Sequence, residues 1–291
     1  MRTEEEIVSL LLSTATEDDR IRAVILSGSR SNPNIEKDSF QDFDVIYFVS
    51  ELKSYRDKPG WINLFGERIA MQMPNSMNID KQDVNSEKEE ITYLMLFKDL
   101  NRIDLKLAPI ELRDTYKDSL NRVLLDKDHL FDSSIEPNDS DYQTTKPSQK
   151  EFSDCCNEFW WVSTYVAKGL ARNEPFYAKA MLENPVRNMF MRLLAWHTAS
   201  QHGFFINLGA QNRFLKTYIS PELWTKILAT YPDAQIQNIW NSLFEMTSIF
   251  HELAGKLSKK LELDYNLEEA SNVMQYHDQV RRTNSNTPGA V

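Results

Sequence analysis

Two kinds of hydrophobic spacing divide the chain. Up to about residue 130, short apolar runs alternate with polar turns, and the period-two spacing of residues 102–110 is typical of a strand with one buried face. Residues 136–147 contain Pro137, Asn138 and Asp139 and few aliphatic side chains, which favours a linker. Beyond them the apolar positions follow helical spacing. The pattern predicts a mixed-sheet domain followed by a helical one.

The individual elements follow from the same spacing. A first helix is predicted after Thr3, a good N-cap that precedes a run of glutamates. Strands are predicted at residues 20–26, 42–49, 68–73, 91–97 and 102–110, and helices at 148–172, 184–202, 221–230, 235–263 and 266–282. Because 291 residues is long for one domain, we expect domains at 1–135 and 148–282, a linker at 136–147 and a disordered tail at 283–291. The polar stretch at 80–90 is predicted to be a surface loop.

Charge and composition narrow the classes of function. The formal net charge of -10 disfavours nucleic acid as a partner and favours a cationic ligand or none. No apolar run is long enough to span a membrane, so no membrane partner is expected. The acidic start is unlike an export signal, and the adjacent cysteines Cys155 and Cys156 do not suggest a disulfide framework. We therefore expect a cytoplasmic protein.

The stretch with the clearest chemistry is an apolar run that ends at Gly28-Ser29, followed by Asp42 and Asp44 in a second apolar run. Residues i and i+2 of a strand point to the same face, so these two aspartates should project side by side. Two unpaired carboxylates that close repel each other, and a divalent cation removes the repulsion. The pattern predicts a magnesium site on this strand.

Phosphate chemistry fits the remaining polar groups of the stretch. Gly28 allows close approach of a phosphate, and the Ser29 hydroxyl, the turn N–H groups and Arg30 can bind its oxygens. Asp104 lies on the polar face of a later strand and can complete the metal shell or accept a proton from a hydroxyl. A competing interpretation places Asp42 and Asp44 on a water-facing edge strand, where charge prevents aggregation.

Joined in this order, the motifs resemble those of the nucleotidyltransferase superfamily. More specifically, the chain resembles the aminoglycoside 6-adenylyltransferases, also called streptomycin adenylyltransferases. The matching stretches cover nearly the whole chain and are LSGSR at 26–30, FQDFD at 40–44, RIDL at 102–105, LLDKD at 124–128, CCNEFW at 155–160, residues 162–172 and residues 195–197.

The resemblance implies an α+β fold: an N-terminal nucleotidyltransferase domain with a mixed β-sheet flanked by helices, then a C-terminal α-helical bundle. It also implies transfer of AMP from ATP to a hydroxyl of streptomycin, with Mg²⁺ as cofactor and resistance to the drug as the result. Asp42, Asp44 and Asp104 would then be the catalytic, metal-holding residues. A monomer or weak homodimer is expected.

One predicted helix, at 148–172, carries a polar stripe at spacings of three and four residues. Its members are Asp154, Glu158, Trp161, Tyr165, Lys168 and Arg172. The acidic and aromatic end is suited to a cationic aminocyclitol, because aromatic faces attract guanidinium groups. The basic end, Lys168 and Arg172, is suited to a triphosphate. A solvated helix face with ordinary ion pairs is the competing interpretation.

Two other functions stay open at this level. The same scaffold can belong to an enzyme with another acceptor, either a different antibiotic or a protein side chain. It can also belong to a nucleotide-binding module without activity. Absence of one of the three aspartates would favour the inactive nucleotide-binding module. Asp42, Asp44 and Asp104 are all present in this sequence.

Overall fold

The structure, a computed structural model, describes residues 1–77 and 90–285, with side chains to residue 283. The predicted loop at 80–90, apart from Glu90, and most of the predicted tail lie outside these residues. The chain forms two compact units, Met1–Asp141 and Tyr142–Val291.

The N-terminal unit begins with the predicted helix. Helix α1 spans Glu4–Glu17, and Thr3 caps it through a capping box in which Thr3 and Glu6 bond each other's backbone N–H groups. The other regular elements are strands β1 (Ile21–Ser27), β2 (Phe43–Val49), β3 (Arg68–Gln72), β4 (Ile91–Phe97), β5 (Arg102–Pro109) and β6 (Arg122–Asp126), and the short helix α2 (Lys53–Asp57). Strand β6, which is only five residues long, is not predicted by the hydrophobic spacing.

The strands form one mixed sheet in the order β3-β4-β5-β2-β1-β6. The β2–β5 pair is parallel, and the other neighbouring pairs are antiparallel. Strand β2 lies between β1 and β5, inside the sheet. The edge-strand interpretation of Asp42 and Asp44 is therefore wrong.

Alternation along β2 and β5 gives the sheet two different faces. One face packs the odd-numbered side chains of both strands, among them Val45, Tyr47 and Leu105, against Ile7 and Leu11 of α1 in the main core of the unit. The opposite face has a smaller core that includes Ala23, Ile25, Phe48 and Ala108. The even-numbered acids Asp44 and Asp104 point to this second face, since neighbours along a strand alternate.

The C-terminal unit is helical around one large core. Its helices are α3 (Gln149–Ala171), α4 (Pro175–Met181), α5 (Arg187–Gln201), α6 (Leu215–Tyr218), α7 (Pro221–Ala229), α8 (Ile236–Leu261) and α9 (Leu267–Ser285). Phe159 stacks on Phe250 with ring centroids 3.6 Å apart, which joins α3 to α8 in the core. Helix α4 was not predicted; a π-helical turn at Leu182–Val186, which contains Pro185, joins it to α5.

The predicted fold class is confirmed: a mixed sheet with helices, followed by a helical bundle. Cys155 and Cys156 are buried free thiols. Across residues 1–77 and 90–285, none of the helices combines the length and apolar character needed to cross a bilayer.

Candidate active site

The turn after β1 brings the backbone close to the first acidic strand. Gly28 has φ of 68°, a conformation that residues with a side chain rarely adopt. A Cβ atom placed on Gly28 would lie 2.2 Å from Oδ2 of Asp44, so any side chain there would collide with the carboxylate. Ser27, which ends β1, is the register partner of Asp44. Glycine is therefore required at this position by both conformation and space.

The three predicted acids are brought together at the neighbouring strands β2 and β5. Asp44 on β2 and Asp104 on β5 are register partners across the parallel pair. Asp42 comes one residue before β2 and points to the same face as Asp44, because the two are separated by one residue. The sequence prediction that a later strand carries Asp104 beside the other two acids is therefore matched by the sheet register.

Burial and mutual repulsion raise the pKa of two of these groups, Asp44 and Asp42. Burial, with the nearby Asp104 and Asp42 charges, raises the pKa of Asp44 to about 6. Burial also raises the pKa of Asp42, although the Arg102 charge works against it. Such raised pKa values are typical of sites built to bind a cation or move a proton, since acids this close are costly to ionise together.

One guanidinium bridges two of the three acids. Arg102 donates from Nε and Nη2 to the two Asp104 oxygens at 2.8 and 2.7 Å, and its Nη1 lies 3.4 Å from Oδ2 of Asp42. Asp44 has no ion pair within the described part of the chain. In the same part of the chain, no three His, Cys, Asp or Glu side chains converge in metal-ligand geometry.

The helical unit carries the polar stripe on an exposed face of α3, as the spacing predicts. Trp161 is 59% exposed, and its indole N–H donates to the Tyr165 hydroxyl at 2.8 Å. The Lys168 ammonium lies 5.1 Å from the centroid of the Tyr165 ring. Glu158 and Arg172 are exposed, and Asp154 pairs with Lys150 at 2.5 Å. The stripe thus contains one ordinary intrahelical ion pair and a connected group of indole, phenol and ammonium.

Comparison with known proteins shows which family the chain belongs to. The family described as streptomycin adenylyltransferase matches residues 1–280. The chain belongs to the streptomycin adenylyltransferase family. Proteins named aminoglycoside 6-adenylyltransferase are similar to it: one from Bacillus subtilis (strain 168), 41% identical over 91% of this chain and 93% of the relative, and one from Campylobacter jejuni, 39% identical over 92% of each.

A third relative of that name, from Staphylococcus aureus, is 35% identical over 89% of this chain and 92% of its own. A crystal structure of an aminoglycoside 6-adenyltransferase from Bacillus subtilis covers 97% of this chain and 99% of its own, at 36% identity and a TM-score of 0.48. Family membership confirms the resemblance predicted from the motifs, and it confirms that the chain is an enzyme of the nucleotidyltransferase class.

Arg30 has a different environment from the one its predicted phosphate role requires. Its guanidinium is buried 3.7 Å from the ring centroid of Phe43, whose side chain belongs to the main core on the α1 face. It donates to the Gln41 carbonyl at 2.6 Å and contacts Glu4 at 3.3 Å. Arg30 therefore ties the turn to the residue before Asp42, from the side of the sheet opposite Asp44.

Arg102 belongs to the site, although the sequence motifs did not indicate it. The signal was available in the sequence, because Arg102 precedes Asp104 by two residues and so shares its face. That spacing does not reveal the second contact, to Asp42, which depends on the pairing of β2 with β5.

Proposed function

We propose that this family member transfers AMP from ATP to a hydroxyl of an aminoglycoside, namely the 6-hydroxyl of streptomycin, and so confers resistance to the drug. Aminoglycoside 6-adenylyltransferase is the name of its relatives at 35 to 41% identity. The observation that carries the proposal is the pairing of Asp44 with Asp104 beside Asp42 and a glycine turn. Such a cluster suits phosphoryl-group chemistry, in which negative charge must be neutralised.

Asp42, Asp44 and Asp104 would hold magnesium. The fit is one of donor chemistry: carboxylate oxygens are the ligands this ion prefers, and the raised pKa of Asp44 indicates a place where a positive charge is favourable. When bound, the ion would supply charge neutralisation at the phosphates. Arg102, which contacts two of the acids, would compete with the ion for their oxygens.

The transfer itself is a direct displacement. The drug hydroxyl oxygen attacks the α-phosphorus of ATP, an O–P bond forms, and the bond to the leaving pyrophosphate breaks in line with it. The hydroxyl proton passes to a carboxylate within hydrogen-bond reach, and we assign this role to Asp104. Backbone N–H groups of the turn at Gly28 and Ser29 would bind phosphate oxygens.

The exposed stripe of α3 would serve substrate binding. Asp154 and Glu158 provide negative charge for a cationic drug, and Trp161 and Tyr165 provide aromatic faces for its guanidinium groups. Lys168 and Arg172 would bind the triphosphate through charge-assisted bonds. The indole–phenol hydrogen bond between Trp161 and Tyr165 supports this assignment, because it fixes two large exposed rings in one arrangement.

Mass spectrometry of the acceptor tests the proposal. Purified protein with ATP, Mg²⁺ and streptomycin should release pyrophosphate and add one AMP to the drug, whereas Asp42→Asn should abolish turnover and keep its fold. Asp114→Asn, which loses exposed ion pairs with Lys117 and Arg113, is the matched control and should remain active. An unmodified drug would reject streptomycin as acceptor, and the same assay across other aminocyclitols would then identify or exclude a different one.

A second pair of variants tests the stripe. Lys168→Ala should raise the KM for ATP with a smaller effect on the KM for the drug. Lys216→Ala removes another lysine that lies over an aromatic ring, Trp224, and should leave both constants unchanged. An unchanged KM for ATP in Lys168→Ala would remove Lys168 from the nucleotide site.

A further inference from the structure

The position of Arg102 suggests a role that the catalytic scheme does not use. We propose that Arg102 is a displaceable counter-ion: it holds the acidic cluster together in the metal-free protein and competes with the divalent ion for the same carboxylate oxygens. The inference rests on the proposed function, because the metal site it concerns is the one assigned to Asp42, Asp44 and Asp104.

Three nitrogens of the Arg102 guanidinium face two acids. Nε and Nη2 form a bidentate pair with Asp104, and Nη1 approaches Asp42 at 3.4 Å. Without this charge, three neighbouring carboxylates would repel one another on a half-buried sheet face. The guanidinium thus supplies, in the metal-free protein, part of the neutralisation that a divalent ion supplies when bound.

The two cations compete for the same oxygens. Both Asp104 oxygens and Oδ2 of Asp42 face the guanidinium, so its N–H groups occupy part of the lone-pair capacity that a metal would use. A guanidinium and a divalent ion at the same oxygens would also repel each other. Arg102 in this position therefore weakens binding of the ion to the three acids, and movement of its side chain relieves the repulsion.

Movement of Arg102 does not require the core to open. Its side chain is 43% exposed, and it is the first residue of β5, so the side chain can swing towards solvent. The planar fork of a guanidinium matches a phosphate as well as a carboxylate. The freed side chain is therefore suited to pair with the polyphosphate that arrives with the metal.

A second arginine on the same sheet offers a matched comparison. Arg22 makes a two-nitrogen contact with Asp128, as Arg102 does with Asp104. The Arg22 and Lys127 charges lower the pKa of Asp128, and the neighbouring Asp126 carboxylate accepts from the backbone N–H groups of Asp128 and Phe131. Loss of Arg22 removes a similar ion pair at a place where no metal is expected.

The inference is tested by measuring the binding of Mn²⁺ in the absence of nucleotide. The concentration of free Mn²⁺ is read from its electron paramagnetic resonance signal. Arg102→Gln should bind Mn²⁺ at least about tenfold more tightly than the wild type, since a competitor has been removed; that factor is roughly 1.4 kcal/mol. Arg22→Gln should bind it as the wild type does. Asp44→Asn should lose the binding, which assigns the signal to this site.

The outcomes separate the two hypotheses. Equal or weaker Mn²⁺ binding by Arg102→Gln, with clear binding by the wild type, would overturn the role of Arg102 and leave the magnesium site intact. Absence of Mn²⁺ binding in both proteins would reject the magnesium site and the inference with it. Tighter binding in both arginine variants would show a general charge effect and would also overturn the inference.

A measurement on the wild type covers the case in which Arg102→Gln does not fold. The ¹⁵Nε–H resonance of Arg102, assigned by comparison with Arg102→Lys, should shift to the position of a solvent-exposed guanidinium when Mg²⁺ alone is added. The Arg22 resonance should stay unchanged. An Arg102 resonance that does not respond to saturating Mg²⁺ would contradict displacement.

Discussion

Replacing Asp44 with asparagine should make the metal-free protein more stable while removing its activity. Burial and the neighbouring Asp104 and Asp42 charges raise the pKa of Asp44 to about 6 from the usual 3.8. The folded state therefore holds this proton more tightly than the unfolded chain does. Between these two pKa values, raising the pH costs the folded state more than the unfolded chain, so stability falls.

The size of the effect follows from the shift. A difference of about two pKa units corresponds to roughly 3 kcal/mol of destabilisation once the pH exceeds the folded value of about 6. Asparagine carries no charge and escapes this cost. The variant should therefore match the wild type near pH 4, gain stability between pH 4 and 6, and keep the full gain above pH 6.

Calorimetric unfolding in the presence of a chelator measures this gain. For a unit of this size, 3 kcal/mol raises the midpoint by roughly 6 to 12 °C. The gain should appear in the transition of the N-terminal unit at pH 7.5 and not at pH 4. Asp114→Asn is the control, because the pKa of Asp114 is shifted in the opposite direction: Lys117 lowers it. Loss of the Asp114 charge should therefore not stabilise the protein.

A variant equally stable or less stable than the wild type at pH 7.5 would refute the reasoning. So would a gain in stability that is the same at pH 4 and pH 7.5, because it would show a packing effect instead of a charge effect. In excess Mg²⁺ the wild type should become more stable than Asp44→Asn, because only the wild type retains all three acids to bind the ion.

Three other perturbations have definite expected outcomes. Gly28→Ala should reduce kcat by at least about a hundredfold, because its Cβ would lie 2.2 Å from the Asp44 carboxylate; near-normal turnover would contradict this geometry. Burial lowers the pKa of His277 to about 4, so the free energy of unfolding of the wild type should fall as the pH drops from 6.5 to 4. His277→Gln should reduce this pH dependence when it is measured by chemical unfolding. An unchanged pH dependence would exclude His277 as its source. Arg187→Met should destabilise the helical unit by about 3 kcal/mol, because the buried guanidinium donates to the hydroxyl and carbonyl of Thr230; a thermal midpoint unchanged in calorimetry would contradict this.

Much of the fold follows from the local chain pattern. The helix N-cap at Thr3, the strict alternation along β5 and the helical stripe of α3 are short-range features, so the sequence alone predicts them. The glycine turn and the Asp-x-Asp spacing likewise identify the chemistry, because side chains two residues apart on a strand share a face. Strand β6 and helix α4 escaped prediction, since short elements depend on what they pack against.

The arrangement of the site was decided by tertiary structure. The sequence does not show that β2 and β5, far apart in the chain, are parallel neighbours, yet that pairing brings Asp104 level with Asp44. It also cannot distinguish Arg30, which reaches the α1 side of the sheet, from Arg102, which bridges the acids on the other. Side-chain type and local spacing determine which groups can do chemistry; strand pairing, a long-range property of the folded chain, determines which of them meet.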